Sequence, residues 1–262
     1  MNNDQLLNQV TQQAVEARRL MLGRLLYNRL QGIVSYGPLK GFRLNEQQVW
    51  GQGDIGPKLL GLYEQEVLER IAARGRKWDC VINLGAGDGY YGVGLVKSGL
   101  AARSICFEQK DEGQAAIKHA ADTNGVADRV SILGRADADF LNHPALQGVD
   151  LSRTLIIIDI EGGEFSLLTD DLLRRLKDAE LIIELHGRFI ATNPNPEAAF
   201  LQRLAQHFRC DVFSMGQRDP SSMTELAVLG DSDRWLLCSE GRPFLMRWVH
   251  CHPISKQVAS HG

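Results

Sequence analysis

Residues 81–90 read VINLGAGDGY, an apolar run that leads into glycines at alternate positions, 85, 87 and 89. The apolar run predicts a buried strand, and the glycines permit a sharp turn that brings the backbone close to a ligand. A helix that starts after the turn offers free N–H groups and the positive end of its dipole to that ligand. Tyr90 stands where the G-x-G-x-x-G fingerprint has its third glycine, which disfavours a dinucleotide. The segment therefore predicts the cofactor turn of an open α/β sheet.

Around this turn, short apolar runs alternate with helical patterns. Strands are predicted at 80–86, 104–108, 130–136, 155–161 and 181–186. Helices are predicted at 90–98, 112–124, 164–176 and 196–208. Two further strand candidates follow, 210–216 and 234–240. Alternation of this kind predicts an α/β fold with right-handed crossovers and a parallel sheet that helices cover on both faces.

The first 56 residues precede this pattern. Residues 4–31 carry apolar side chains at three- and four-residue spacings, which predicts an amphipathic helix. Residues 32–56 contain Gly and Pro without a sustained period, so they predict a long loop or lid before a helix over 57–74. We therefore expect an N-terminal helical extension with a lid, 1–56, and a main domain, 57–262.

Charge and composition limit the classes of function. The chain has 29 basic and 32 acidic residues, a net charge of -3, so it has no positive field to bind a polyanion and nucleic acid is a disfavoured partner. The five cysteines are far apart and odd in number, which is typical of free thiols in a reducing compartment. No apolar run reaches the roughly 18 residues of a membrane span, and the start of the chain is too polar for a secretory signal. We expect a cytoplasmic protein without a membrane partner.

Polar side chains follow the second and third predicted strands. Glu108 ends the second strand, where a carboxylate can accept hydrogen bonds from both hydroxyls of a ribose. After the third strand, Asp137 or the neighbouring Ala136 amide can reach an adenine amino group. These positions favour an adenosine-containing ligand, although a solvated acid at the end of a strand is the simpler alternative for Glu108.

Three acids, Asp159, Glu161 and Glu164, follow the fourth strand within six residues. Such crowding is costly unless a metal, a cationic ligand or protons offset the repulsion. His186 ends the fifth strand, and alternation places Glu184 on the same face. His186 is therefore a candidate general base or, with Asp159 and Glu161, a ligand for a divalent cation. A structural histidine bonded to a backbone carbonyl is the alternative.

A second histidine pattern, His250-Cys251-His252, looks at first like three metal ligands. Adjacent residues on an extended chain point to opposite sides, and the sequence shows no second ligand pair at metal-binding spacing. We therefore expect no metal site in this segment.

Residues 80–187 resemble the class I S-adenosylmethionine-dependent methyltransferases, and among them the FkbM-type methyltransferases. The resemblance rests on INLGAGDGYYG, CFEQ and IIIDIEGGEFSLL, followed by LIIELH at 181–186. The last two segments look like the family's D-V-E-G-x-E block and its E-x-H strand. The resemblance implies a Rossmann-like sheet of seven strands with the last one antiparallel. It also implies S-adenosylmethionine as cofactor and methyl transfer to a hydroxyl oxygen of a small molecule, sugar or secondary metabolite.

The resemblance also implies roles for individual residues. The glycine turn would line the methionine and ribose, Glu108 would hold the ribose hydroxyls, and Asp159 and Glu161 would lie beside the transferable methyl. Asn83 stands where related turns often carry an acid, so Asp159 would replace that acid as the partner of the cofactor's amino group. The expected cofactor contacts are Asn83, Gly85, Ala86, Gly87, Tyr90, Glu108, Gln109, Ala136, Asp137 and Asp159. Residues 58–64 resemble the helix entry before the core, where Tyr63 or Glu64 would help to cover the cofactor.

We predict that His186 removes the acceptor's proton, while Asp159 and Glu161 orient the acceptor or hold a divalent cation that lowers the pKa of an alcohol. One alternative is an NAD-dependent oxidoreductase, which Tyr90 and the lack of a Tyr-x-x-x-Lys pair disfavour. Another is a non-catalytic Rossmann-like partner protein. A homodimer through the N-terminal helix is a further expectation.

Overall fold

A computed structural model describes residues 2–46, 48–187 and 196–254. Within the predicted extension, 1–56, Met1 and Gln47 lie outside the described residues. Within the predicted main domain, 57–262, residues 188–195 and 255–262 lie outside them. Seven strands form the centre of the fold: β1 Trp78–Leu84, β2 Ala101–Phe107, β3 Val130–Leu133, β4 Thr154–Ile158, β5 Glu180–Glu184, β6 Phe208–Ser214 and β7 Arg247–Pro253.

The strands form one sheet in the order β3-β2-β1-β4-β5-β7-β6. Strands β1 to β5 pair in parallel, and β7 runs antiparallel to both β5 and β6. The predicted sheet of seven strands, mostly parallel with an antiparallel last strand, is confirmed. Its central strand β4 is buried along its whole length, which explains why it reads as a continuous apolar run rather than an alternating one.

Helices cover both faces of the sheet. They are α1 Asn3–Leu30, α2 Ile55–Leu59, α3 Gln65–Ala73, α4 Tyr90–Lys97, α5 Asp111–Thr123, α6 Glu164–Leu167, α7 Asp170–Leu176, α8 Pro196–Ala205 and α9 Asp231–Cys238. On one face, Val81 and Ile157 share a buried cluster with side chains of α3, α4 and α5. On the other face, Ile82 and Ile156 share a second cluster with side chains of α7 and α8. This three-layer arrangement leaves the carboxyl ends of the parallel strands at one open edge.

The last predicted strand is wrong. Residues 234–240 lie mostly in α9, which begins after Gly230 with Asp231 and Asp233 in its first turn, where acidic side chains favour the helix dipole. The seventh strand is β7 instead. Its inward-facing residues include His250, which is buried, so the polar side chain hid the strand pattern from sequence analysis.

Two predicted helices are broken. The helix expected over 57–74 is divided between α2 and α3, because Gly61 and Glu64 adopt positive φ values of 67° and 46°, which a helix cannot accommodate. The helix expected over 164–176 is divided into α6 and α7. Thr169 separates them, and its hydroxyl accepts a hydrogen bond from the Leu172 backbone at 3.3 Å as a helix cap.

The N-terminal helix packs on the rest of the fold only through its second half. Arg19, Leu22, Gly23 and Leu26 are buried, whereas residues 3–18 are exposed. After α1, residues 32–46 run without helix or strand, apart from a single bridge between Ile33 and Arg43. In the part of the chain that the structure describes, no helix combines the length and hydropathy that crossing a membrane requires.

Candidate functional site

A cavity of about 900 Å³ opens at the carboxyl edge of the sheet. The turn after β1 and the ends of β2, β4 and β5 form its floor, and the α2–α3 junction and residues 240–246 form its walls. Its volume lies in the range of roughly 300–1,000 Å³ that small-molecule and cofactor sites occupy. The cavity is therefore large enough for a nucleoside-sized ligand with a small second molecule.

The glycine turn forms the floor of this cavity. Gly85, Gly87 and Gly89 have φ values of 76°, 54° and 82°, a region that side chains with a Cβ enter only at a cost. The backbone N–H of Gly85 donates to the Phe107 carbonyl at 2.9 Å. A Cβ on Gly85 would lie 1.7 Å from the Asp159 carbonyl oxygen. The turn is thus fixed between the ends of β2 and β4.

Glu108 lies beside the turn with its carboxylate held in place. One carboxylate oxygen accepts the Gly87 backbone N–H and the other accepts the Lys110 backbone N–H, both at 2.9 Å. The residue is 5% exposed and lines the cavity. Because each carboxylate oxygen has two lone pairs, Glu108 can still accept hydrogen bonds from a ligand in the cavity.

The structure brings most of the predicted cofactor residues to the cavity. Those that line it are Gly85, Ala86, Gly87, Tyr90, Glu108, Gln109, Ala136, Asp137 and Asp159. Gln109 and Asp137 lie exposed, beyond the buried end of β2 and after β3 respectively. Tyr90 is buried, and its ring packs edge-on against Tyr63 at 5.4 Å between centroids.

Asn83 does not line the cavity. It is buried in β1 on the face that α4 covers, and a Cβ built on Gly92 of α4 would lie 3.8 Å from its amide oxygen. Residues at alternate positions of a strand face opposite sides of the sheet, and the side chain of Asn83 shares the face of Val81. The structure therefore does not support the expected contact between Asn83 and a ligand.

His186 is the centre of a buried polar cluster at the ends of β4 and β5. Its Nδ1 lies 3.1 Å from Glu164 Oε1, which also accepts the His186 backbone N–H at 3.1 Å. Its Nε2 lies 3.6 Å from Asp159 Oδ1 and 3.7 Å from Glu161 Oε2. Since Glu164 is an acceptor, it holds the tautomer with the proton on Nδ1. Nε2 is then an acceptor among the residues that line the cavity.

Electrostatics at His186 favour its charged form. Burial lowers the pKa of His186, but the hydrogen bond from Nδ1 to Glu164 and the charges of Glu164, Asp159 and Glu161 outweigh burial. The net result is a pKa above the ordinary value of 6.5. His186 is therefore tuned as a proton acceptor at near-neutral pH.

A second group of carboxyls lies beside His186. Burial raises the pKa of Asp159 to about 6 and that of Glu64 to about 7, although His186 and Arg242 respectively oppose the shift. Burial and the charges of Asp159 and Glu64 raise the pKa of Glu184 strongly. A protonated Glu184 can donate a hydrogen bond to Asp159, which relieves the repulsion between them.

Arg242 provides the positive charge of this carboxyl cluster. It forms an ion pair with Glu64, reaches Glu184 Oε1 at 2.9 Å through Nη1, and reaches Glu240 Oε2 at 2.9 Å through Nε. The carboxyl group of Glu64 also accepts a hydrogen bond from the Tyr91 hydroxyl. Buried carboxylates of this kind are strongly destabilising without a charged partner, so Arg242 offsets much of their repulsion.

Residues of the predicted lid cover the glycine turn. The Asp88 carboxylate accepts the Val49 and Trp50 backbone N–H groups at 2.9 and 3.4 Å. The Lys110 ammonium lies 3.7 Å from the centroid of the Trp50 ring. Lys58 Nζ donates to Gln48 Oε1 at 3.0 Å. These contacts attach residues 48–51 to the glycine turn and to the residues beside it.

Sequence reasoning missed three residues of this site as functional. Glu164 stands in the acidic block that was singled out, and its spacing from Asp159 was the available signal for its role. For Glu64, the sequence predicts only that it helps to cover the cofactor. Arg242 pairs locally with Glu240, but its partners in the cavity, Glu64 and Glu184, are 178 and 58 positions away, so the sequence does not connect it with the site.

Among known proteins, similarity to this chain is found in solved structures. No protein-family model matches it, and no curated protein matches it. Similar solved structures include precorrin-6Y C5,15-methyltransferase from Geobacter metallireducens, with 15% identity and a TM-score of 0.45, covering 72% of this chain and 89% of that chain. The O-methyltransferase TomG from Streptomyces achromogenes in complex with SAM has 14% identity and a TM-score of 0.46, covering 71% and 78%. TrmK from M. capricolum in complex with S-adenosyl-homocysteine has 8% identity and a TM-score of 0.42, covering 71% and 66%.

Proposed function

We propose that this protein is an S-adenosylmethionine-dependent methyltransferase that acts on a hydroxyl oxygen of a small molecule, such as a sugar or a secondary metabolite. The observation that carries the proposal is that the glycine turn, Glu108 and the Asp159–His186 cluster open onto one cavity. The narrower FkbM-type grouping rests on the motifs at 159–164 and 184–186. The hydroxyl acceptor rests on the general base that His186 provides.

The residues of the cavity fit the proposed cofactor. Asp159 Oδ1 is buried and accepts no hydrogen bond within 3.5 Å in the described structure, with His186 Nε2 at 3.6 Å as a nearby cation, so it suits the ammonium group of the cofactor's methionine part. Glu108 retains acceptor capacity for the two ribose hydroxyls. When bound, S-adenosylmethionine would supply a methyl group carried on a sulfonium. The leaving group is then a neutral thioether, which needs no acid.

The remaining work of the protein is to orient the acceptor and to remove its proton. His186 Nε2 accepts the proton of the acceptor hydroxyl. Glu164 holds the Nδ1 proton, so that in the neutral imidazole the lone pair is on Nε2, and it stabilises the imidazolium afterwards through its contact with Nδ1. Asp159 and Glu161 lie close enough to His186 to orient the hydroxyl toward Nε2.

A divalent cation held by this cluster is the alternative way to activate an alcohol. The structure brings Asp159, Glu184 and His186 within ligand distance of one another, with Glu184 in place of the expected Glu161. The side chain of Glu161 is 84% exposed. The pKa of Glu184 is raised strongly by burial and by the charges of Asp159 and Glu64, so Glu184 is a protonated carboxyl rather than an anionic ligand, and we favour His186 as a base that acts without a metal.

Replacing Glu108 with alanine is expected to weaken the binding of S-adenosylmethionine and S-adenosylhomocysteine by at least about a hundredfold. Hydrogen bonds to a charged group contribute about 1.5–3 kcal/mol each, and about 1.4 kcal/mol corresponds to a factor of ten in affinity. Isothermal titration calorimetry measures the loss. Glu112→Ala, which removes an exposed acid of α5, is the matched control and should bind as the wild type does.

The same titration separates the competing functions. Binding of NAD rather than S-adenosylmethionine would support the oxidoreductase alternative, and no heat with any of these adenosine ligands would support the non-catalytic partner protein. An unchanged affinity in Glu108→Ala would contradict the assigned position of the ribose.

The pH dependence of turnover is expected to have an acidic limb with a midpoint above 6.5, because the base must be unprotonated and its pKa is raised. Glu164→Gln removes a negative charge that stabilises the imidazolium, so the midpoint should move to lower pH. The measurement is kcat/KM against pH for the wild type, Glu164→Gln and the exposed control Glu112→Gln. Identical midpoints for the wild type and Glu164→Gln would contradict the assigned pairing.

The homodimer and the cytoplasmic location remain predictions. The apolar side chains Leu6, Leu7 and Val10 of α1 are exposed. They are the surface through which we propose that a second copy binds.

A further inference from the structure

A cluster of potential metal ligands lies on the sheet away from the carboxyl edge. Glu180 is the first residue of β5, and His250 and His252 lie on the neighbouring strand β7. The sequence predicts no metal site at 250–252, but the two histidines are two positions apart and share one face of the sheet, where Glu180 is a third candidate ligand. Cys251 between them points to the other face, where it belongs to the second apolar cluster.

The three side chains converge on one point. His250 Nε2 lies 2.8 Å from Glu180 Oε1, and His252 Nδ1 lies 3.2 Å from the same oxygen. One ligand atom from each residue lies within 4.8 Å of the other two. A zinc ion at about 2.0–2.1 Å from each ligand requires ligand separations of roughly 3.4 Å in tetrahedral geometry. Small side-chain movements therefore suffice to admit an ion.

The surroundings keep the ligands in a suitable state. Arg74 Nη2 lies 2.6 Å from Glu180 Oε2, so it orients the carboxylate and leaves Oε1 directed at the histidines, as partners of metal ligands commonly do. The His252 side chain is 19% exposed and offers a route for entry.

We propose that Glu180, His250 and His252 form a binding site for a divalent transition metal ion, with Zn²⁺ as the best match. Two imidazoles and one carboxylate are a ligand set that zinc accepts, with water as a fourth ligand. The ion connects the antiparallel pair β5 and β7 at the opposite end of β5 from His186. The site is independent of the proposed methyltransferase activity and stabilises the sheet.

The test uses the full chain after treatment with a chelator. Zn²⁺ is titrated by calorimetry and Co²⁺ by its visible ligand-field absorption, in the wild type and in His252→Gln. His252 is the chosen position because it is the most exposed of the three ligands. His186→Gln removes a ligand of the other candidate cluster, and His207→Gln removes a histidine that pairs with Asp170 at 2.9 Å outside both clusters.

We expect one ion to bind to the wild type, to His186→Gln and to His207→Gln with similar affinity. In His252→Gln the affinity should fall more than about a hundredfold, since even outer partners of metal ligands are worth roughly 10- to 100-fold. At Zn²⁺ concentrations between the two Kd values, Zn²⁺ should raise the Tm of the wild type and leave that of His252→Gln nearly unchanged.

Absence of binding to the wild type would overturn the site, whatever the variants do. Binding that His252→Gln retains and His186→Gln loses would overturn it as well, since the ion would then occupy the cavity. If His252→Gln does not fold, X-ray absorption of the zinc-loaded wild type decides the question. Two imidazoles and a carboxylate around zinc would support the site, and any other ligand set would refute it.

Discussion

Gly85→Ala is expected to prevent folding or to lower the free energy of unfolding by more than about 4 kcal/mol, a size that only severe disruption reaches. The added Cβ would lie 1.7 Å from the Asp159 carbonyl oxygen and 2.8 Å from its carbonyl carbon. Neither backbone can withdraw easily. Gly85 donates to Phe107 O at 2.9 Å, and Asp159 donates to Leu84 O at 3.0 Å, so relief of the clash breaks the contact between β1 and its neighbours.

Gly99→Ala is the matched control for this prediction. Gly99 has a φ of 80°, close to that of Gly85, but in the described structure nothing lies within 4 Å of its added Cβ. Only the backbone conformation then contributes, at about 1–2 kcal/mol. Urea unfolding of both variants measures the difference. Equal destabilisation would show that the Gly85 turn is strained rather than closely packed.

The predictable part of the fold is the part in which local pattern and burial agree. Strand β4 is apolar at nearly every position because both faces are covered, and the turn after β1 requires glycines because β2 and β4 meet it on either side. In both places the surrounding elements restrict which residue types fit, and this restriction produces a pattern that can be recognised in the sequence. The parallel direction of the first five strands follows from these alternating units and their crossovers, whereas the antiparallel last strand is implied only by the family resemblance.

The parts that were mispredicted depend on distant contacts. Strand β7 contains His250, whose polar side chain is tolerated in the interior because Glu180 of β5 accepts its hydrogen bond at 2.8 Å. Residues 234–240 are apolar enough for a strand, yet they pack as helix α9. Arg242 owes its position to carboxyls of two other segments. The partners Glu64 and Glu184 of Arg242, and Glu180 of His250, lie too far away in sequence to leave a local pattern.

The residues of the candidate site also fall into two groups, those whose positions the sequence predicts and those whose positions it does not. The positions of Glu108, Asp159 and His186 follow from their places at the ends of parallel strands. Asn83 faces α4 rather than the cavity, because one residue of strand register decides which face of the sheet a side chain takes. Glu164 was singled out as one of three acids, but only the structure shows that it lies beneath His186.

His186→Gln is expected to lower kcat by about 10²- to 10⁴-fold, the usual contribution of a general base. The affinity for S-adenosylhomocysteine should stay unchanged, because His186 is assigned to the acceptor rather than to the cofactor. Glutamine retains an N–H donor for Glu164, which limits the structural damage. Steady-state kinetics with an accepted substrate and calorimetry on the same preparation separate the two effects. His207→Gln should retain wild-type kcat, and a wild-type kcat in His186→Gln would remove the base from this mechanism.

Glu164 and His186 are expected to act as one unit, which a double variant tests. Glu164→Gln should lower kcat by at least about tenfold, within the roughly 10²- to 10⁴-fold of the base as a whole. Once His186 is replaced, Glu164 has no imidazole to orient or to stabilise, so its own substitution should cost nothing more. The double variant should therefore match His186→Gln alone, as grossly non-additive effects indicate for residues that work together. If the two losses multiply instead, Glu164 contributes to catalysis by a route that does not pass through His186.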